Sequence, residues 1–304
     1  MSVMNAKKPS CFSTKIDVSL ADKIRRDLES MGFQMCKPAY TIFSALKKGV
    51  SCTLYESGSL TVQGKEKDEF IEFYLEPQIL KTFVYTNPMA HVDTTPHIGV
   101  DEAGKGDFFG PLCVVALYAD KEGIEKLISM GVKDSKRFSD PKILKLGDEI
   151  KKHFRHHLFV LRPEKYNELY SKFKNLNRML AWMHVSSIEN LYEKTGCKNV
   201  IIDQFAKEHV VESILKQKNL ELDLVQRVRG EEDVVVAAAS ILARKAFVEE
   251  MDKLTDAVSL ALPKGASRMV IDAGKKVIAK YDLDMLDKVS KAHFKTRNEI
   301  LGSS

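Results

Sequence analysis

Acidic residues stand at three places that a chain can bring to one point. Asp101 and Glu102 follow directly on the apolar run 98–100. Asp203 closes a second apolar run, 200–202, and Glu231, Glu232 and Asp233 lead into a long apolar stretch that begins at Val234. Runs of this kind read as buried strands, and strand ends are where sheets present functional groups. Converging carboxylates repel one another unless protons or a cation intervene. A cluster of hard oxygen ligands suits Mg²⁺ or Mn²⁺ better than zinc, and two such ions are the usual apparatus for in-line attack on a phosphodiester. Acids at strand ends and helix starts also serve as plain solvated caps, so spacing alone leaves both readings open.

A second feature of the same stretch looks like a nucleotide-binding loop and is not one. Gly99, Gly104 and Lys105 have the spacing of a P-loop, but the next residue is Gly106 where a magnesium-binding Ser or Thr is required. Asp101 and Glu102 would also point two anions into the phosphate cradle. Gly104, Lys105 and Gly106 form a segment whose backbone can come close to a nucleic-acid strand, because glycine has no side chain in the way.

The elements that position these residues fall into two groups. The polar stretch 84–97 carries Pro88 and Pro96, has no periodicity and reads as a linker. Before it come a helical stripe over 19–31, strand-like runs over 40–46, 50–55 and 59–63, and a second helix over 68–76 that Pro77 is expected to end or kink. One face of those strands should pack on the helices. Thr41, Phe43, Thr53, Tyr55, Thr61 and Gln63 lie on the strand faces, with Lys47 and Lys48 at a hairpin tip. After the linker, strand-like runs near 98–100, 110–119, 158–161, 199–202 and 222–228 alternate with helical segments. That alternation argues for an α/β or mixed-sheet unit.

The sequence has 304 residues, a formal net charge of +5 and ordinary globular composition. Its longest uncharged apolar runs are far shorter than the roughly 20 residues that span a bilayer, and its first residues lack the apolar core of a secretory signal. The five cysteines are odd in number, contain no CxxC pair, and favour a reducing cytoplasm.

Asp101-Glu102-Ala103-Gly104-Lys105-Gly106-Asp107-Phe108-Phe109-Gly110-Pro111 resembles the signature of type 2 ribonucleases H, and its Gly-Asp-Phe-Phe-Gly form is closest to the ribonuclease HIII branch. Further segments resemble the family in order along the chain: 133–137 around Asp134, Ser135 and Lys136; Asn175 to Asn177; 200–205 around Asp203; 236–244 ending in Arg244; and 262–265. The resemblance covers essentially the whole chain. It implies an α/β fold, an RNase H-like mixed sheet flanked by helices, in residues 98–304. Residues 1–84 would form a small N-terminal α+β substrate-binding domain similar to half of a TATA-binding protein, with 85–97 as linker. It implies Mg²⁺- or Mn²⁺-dependent cutting of RNA in an RNA/DNA hybrid, leaving 5′-phosphate and 3′-hydroxyl ends.

Asp101, Glu102 and Asp203 match the family's first three acids and are the expected metal ligands. Glu231 ranks first as the fourth catalytic acid, Glu232 second, and Asp233 reads as a helix-start charge. Gly104, Lys105, Gly106 and Lys136 are the expected substrate contacts. His184, on an apolar helix, reads as a core histidine, and Phe108 and Phe109 as packing residues that fix the loop. The basic C-terminal run containing Lys275, Lys276, Lys280, Lys288, Lys291, His293, Lys295 and Arg297 can be a phosphate contact or a solvated end. The chain is expected to act as a monomer, with no membrane and no obligate protein partner. Two rival functions are a nuclease that nicks at single embedded ribonucleotides and a non-catalytic hybrid-binding module.

Overall fold

The computed structural model describes residues 11–82, 85, 93–133, 135 and 138–302. The chain divides into two compact units, Met1–Asp93 and Thr94–Ser304. The division falls within the stretch read as a linker, most of which lies outside the described residues.

The first unit is α+β. Strands β1 (Cys11–Lys15), β2 (Gln34–Cys36), β3 (Thr41–Lys47), β4 (Val50–Tyr55) and β5 (Ser59–Gln63) form an antiparallel sheet in the order β1-β5-β4-β3-β2. The sequence announces only the central three. The two edge strands are short and only partly buried, so neither carries a marked apolar alternation. Helix α1 (Ala21–Ser30) packs its stripe of Ala21, Ile24 and Leu28 into the core with Leu54, Leu60 and Val62. Phe43 also belongs to this core and not to the open face. The β3 register slips between Thr41 and Phe43, which turns the phenylalanine inward.

Helix α2 (Lys67–Phe70) runs directly into a π-helix over Ile71–Leu80, and Pro77 sits inside it. Of the two outcomes expected at Pro77, an end or a kink, the end does not occur, since the helical winding continues to Leu80. The wider π winding gives the proline ring room that an α-helix denies it.

The second unit holds β6 (His97–Ala103), β7 (Leu112–Ala119), α3 (Lys121–Ser129), α4 (Asp140–His153), β8 (His156–Leu161), α5 (Pro163–Phe173), α6 (Leu176–Thr195) and β9 (Asn199–Asp203). It continues through α7 (Glu208–Gln217), β10 (Asp223–Arg227), α8 (Val234–Val258), α9 (Arg268–Lys280), α10 (Leu283–Val289) and α11 (Lys295–Leu301). Its sheet runs β10-β9-β6-β7-β8, with β6, β9 and β10 parallel and β7 and β8 antiparallel to their neighbours. Apolar side chains of α6 and α7 cover one face, packed on Ile98, Val100, Val200 and Ile202. Helix α8 lies along the other face, against β6 and β7. Ile98, Val100 and Ile202 are fully buried. Truncating one such side chain costs about 2–5 kcal/mol, so the two strands that carry the acids are fixed by the core itself.

Candidate active site

Strand register brings the first acids together. Parallel strands β6 and β9 pair Val100 with Ile202, which sets Asp101 level with Asp203 at the end of β9. Strand β6 does not stop at Val100, as the apolar run suggests, but continues through Asp101 and Glu102 to Ala103, paired with β7. Successive strand residues face opposite ways. Asp101 therefore emerges on the α8 face, where the Ser240 hydroxyl hydrogen-bonds it. Glu102 emerges on the α6 face, where His184 Nε2 lies 3.1 Å from its Oε2.

Asp101, Glu102, Asp203 and Glu231 all line one open cleft, together with Gly104, Lys105, Asp107, Ser135, Ser240, Arg244 and Lys264. The acids share the cleft without closing on a point. Among the described residues, no three His, Cys, Asp or Glu side chains already stand together as a ligand set for one ion.

The electrostatics fit such a cluster. Burial, then the neighbouring charges of Glu102 and Asp203, push the Asp101 carboxyl up to about 8, against hydrogen bonds from Ser240 and the Glu102 N–H. Burial also pushes Glu102 upward, but the hydrogen bond from His184 and the attraction of His184 and Lys105 outweigh it, and the group sits below its ordinary value. Asp203 Oδ1 accepts the Gly230 N–H at 2.8 Å, which ties the β9 end to the segment bearing Glu231.

Position separates the three acids ahead of α8. Glu231 lines the cleft. Glu232 points outward, its side chain 72% exposed and 3.6 Å from Arg229. Asp233 caps α8, accepting the N–H groups of Val235 and Val236 at 2.9 and 3.0 Å, with His97 Nε2 3.0 Å away. A cap carboxylate of this kind satisfies helix-start donors. Glu231→Gln should therefore lower turnover by about 10²-fold or more, while Glu232→Gln stays within about threefold of the parent. Steady-state rates on one substrate check this, and a reversed order would make Glu232 the fourth acid.

The loop between β6 and β7 is built around glycine. Gly104 has φ +88°, and a Cβ there would lie 2.2 Å from the Pro111 carbonyl oxygen. Gly106 differs, because a Cβ at that position would meet nothing within 4 Å. Internal packing does not demand a glycine at 106, so its bare backbone faces open space. Lys105 turns back onto the site, with Nζ 3.6 Å from Glu102 Oε1 and 5.5 Å from the centre of the Phe205 ring. Lys136 lies outside the described residues. Phe108 and Phe109 are fully buried, one ring edge-on to the other.

Sequence reasoning missed two cations that line the cleft. Arg244 donates to the Ser135 carbonyl at 2.6 Å and to Asp140 at 2.8 Å, and Lys264 donates to the other Asp140 oxygen at 2.6 Å. Ser240 and Arg244 are four residues apart and share a helix face, a spacing that was readable. His184 is buried, as expected of a core histidine, yet it also holds Glu102. Lys291 is fully buried, so it is neither a surface phosphate contact nor a solvated end. Arg297 is paired with Asp287 at 2.8 and 2.9 Å.

Known proteins resemble this chain in sequence and in fold. The family model described as Ribonuclease HII matches residues 98–297, and a model described as a domain of unknown function matches 13–86. Ribonuclease HIII of Protochlamydia amoebophila is 51% identical over 96% of this chain and 97% of its own length. That of Chlamydia felis is 48% identical over 96% and 98%. The crystal structure of Bst-RNase HIII in complex with Mn²⁺ superimposes with a TM-score of 0.68 at 30% identity, covering 96% of this chain and 98% of that one. Aquifex aeolicus RNase H3 gives 0.57 at 28% identity, covering 93% and 100%.

Fold and site together define a ribonuclease H, and within that class the chain belongs to the ribonuclease HIII family. No helix among the described residues is long and apolar enough to cross a membrane.

Proposed function

We propose that this chain cuts the RNA strand of RNA/DNA hybrids by metal-assisted hydrolysis, leaving 5′-phosphate and 3′-hydroxyl ends. The observation that carries the reading is the placement of Asp101 and Asp203 at the same level on neighbouring strands, inside a cleft that also holds Glu102 and Glu231. The donor set suits a hard divalent ion, because all four groups are carboxylates and because burial and the nearby Glu102 and Asp203 charges push the Asp101 carboxyl up, a repulsion that a cation would relieve. Asp101, Glu102 and Asp203 would hold Mg²⁺ or Mn²⁺, with Glu231 as the fourth acid. When bound, the ion supplies Lewis-acid polarisation of the phosphodiester and a more acidic water.

The chain's own residues do the rest. His184 fixes one Glu102 oxygen. The Gly230 N–H orients Asp203. Gly106 offers a bare backbone in the loop whose Gly104, Lys105 and Asp107 line the cleft, and amide groups there can read the 2′-hydroxyl that separates RNA from DNA. Arg244 and Lys264 set positive charge at the cleft wall to balance phosphate. In this reading Gly104 and Lys105 complete the substrate loop, Lys136 adds a phosphate contact, the N-terminal unit contributes hybrid binding, and the chain works as a monomer in the cytoplasm.

Two duplexes test the reading, one with a run of ribonucleotides and one with a single ribonucleotide in DNA. The run should be cut at least about tenfold faster. Equal or faster nicking at the single ribonucleotide would favour the embedded-ribonucleotide nuclease instead. Binding without cutting of either duplex would make the chain a hybrid-binding module.

A further inference from the structure

Among the described residues, one lysine is fully buried with its side-chain nitrogen donating to two backbone carbonyls of a single loop. Lys291 Nζ donates to the Asp107 carbonyl at 2.8 Å and to the Gly110 carbonyl at 2.7 Å, and lies 5.6 Å from the centre of the Tyr166 ring. Its backbone takes part as well. The Lys291 N–H donates to the Phe108 carbonyl at 2.8 Å, and the Gly110 N–H donates to the Val289 carbonyl at 2.9 Å. Four hydrogen bonds thus join residues 289–291 to residues 107–110, the arm of the β6–β7 loop that follows Gly106.

The other end of this brace is itself fixed. Asn167 on α5 donates to the Asp287 and Ser290 carbonyls at 2.9 and 3.0 Å and accepts the Ala292 N–H at 2.9 Å. A second tie reaches the loop from the opposite side, where Gly265 donates to Asp107 Oδ1 at 2.6 Å and accepts the Phe108 N–H at 2.9 Å. The loop arm is clamped between two segments distant in sequence.

Burying an amino group costs several kcal/mol unless its donors are satisfied, and a methionine would fill the same space without that cost. The lysine is explained by what its donors hold. Burial pushes the group down to about 7, against the attraction of Asp107 and Cys113. Charged or neutral, it keeps at least two N–H bonds for two carbonyls.

We propose that Lys291 is a positioning residue for the nuclease reaction, fixing the Asp107–Gly110 arm so that the Gly104–Gly106 backbone is held at the lip of the carboxylate cleft. The proposal rests on the reading of that backbone as a substrate contact. Lys291 meets Asp107 through its backbone carbonyl and hydrogen-bonds none of Asp101, Glu102, Asp203 and Glu231, so its effect should appear in substrate binding and not in metal binding. A misplacement of about 1 Å in a binding loop can cost tenfold or more.

The test compares Lys291→Met with the parent and with Gly106→Ala in the full chain. Readouts are KM and kcat on a hybrid, Mn²⁺ affinity by calorimetry, and thermal stability. Lys291→Met should raise KM by about tenfold, leave kcat within about threefold and leave Mn²⁺ affinity unchanged. Gly106→Ala should raise KM as well, and the double variant should fall short of the product of the two. Lys291→Met with a lowered melting temperature but an unchanged KM would make the lysine structural only and overturn the proposal.

If Lys291→Met does not fold, Asn167→Ala loosens the same brace with the lysine intact. It should raise KM by a smaller factor, and an unchanged KM in that folded variant would count equally against positioning. An unchanged KM in Gly106→Ala would defeat the substrate-loop reading itself, whatever Lys291 does.

Discussion

Asp203→Asn should abolish hybrid cutting, with turnover down by about 10³-fold or more, while the fold stays intact. The substitution keeps the volume and an oxygen able to accept the Gly230 N–H, which Asp203 Oδ1 now accepts at 2.8 Å. What it removes is a negative charge at the same level as Asp101. In chelator, hybrid affinity should stay level or rise, because an anion beside phosphate is gone. Turnover near that of the parent in Mg²⁺ would remove Asp203 from the metal site.

The second large effect is on stability. In chelator, Asp101→Asn should stabilise the protein, and the gain should grow with pH. The Asp101 carboxyl is pushed up to about 8 in the fold, first by burial and then by Glu102 and Asp203, against 3.8 for the free group. The sign follows from proton counts. Between about pH 4 and pH 8 the unfolded chain has released the proton and the folded chain still binds it, so folding is penalised increasingly as pH rises. Above about 8 the penalty is complete. Asparagine carries no such penalty, so melting curves at pH 5, 6.5 and 8 should show a gain that widens to a few kcal/mol. A gain that is flat or shrinks with pH would mean that Asp101 is not held protonated by its neighbours. The same variant should be inactive, which sets stability against activity at one residue.

Much of this site was legible in the sequence. Asp101 and Asp203 are conspicuous because each closes a run of apolar residues, Glu102 because it follows Asp101 directly, and parallel register does the remaining work. The assignment of Asp233 as a helix-start charge also holds, since its side chain caps α8.

What the sequence hid has physical causes. The apolar run stops at Val100, so the strand reads as ending there, and the opposite facing of Asp101 and Glu102 is lost. With β6 extended to Ala103, alternation sends Glu102 to the α6 face and explains its partner His184. That histidine lies on an apolar helix and is fully buried, so core and ligand-holding readings are both true of it. Lys291 sits in a lysine-rich run whose composition reports solvent. Its burial depends on a loop about 180 residues earlier, which no local pattern encodes. The two edge strands of the first unit and the π-helix through Pro77 are likewise decided by neighbours, not by local preference.

The most direct test of the central claim is cleavage of a uniform RNA/DNA hybrid, labelled on each strand in turn, by the full chain in Mg²⁺, in Mn²⁺ and in chelator. The expected result is internal cutting of the RNA strand with at least one of the two ions, products that carry 5′-phosphates, an intact DNA strand, and no cutting in chelator. Undiminished cutting in chelator, cutting of the DNA strand, or no cutting with either ion would contradict the account of Asp101, Glu102, Asp203 and Glu231 as a metal-holding nuclease site.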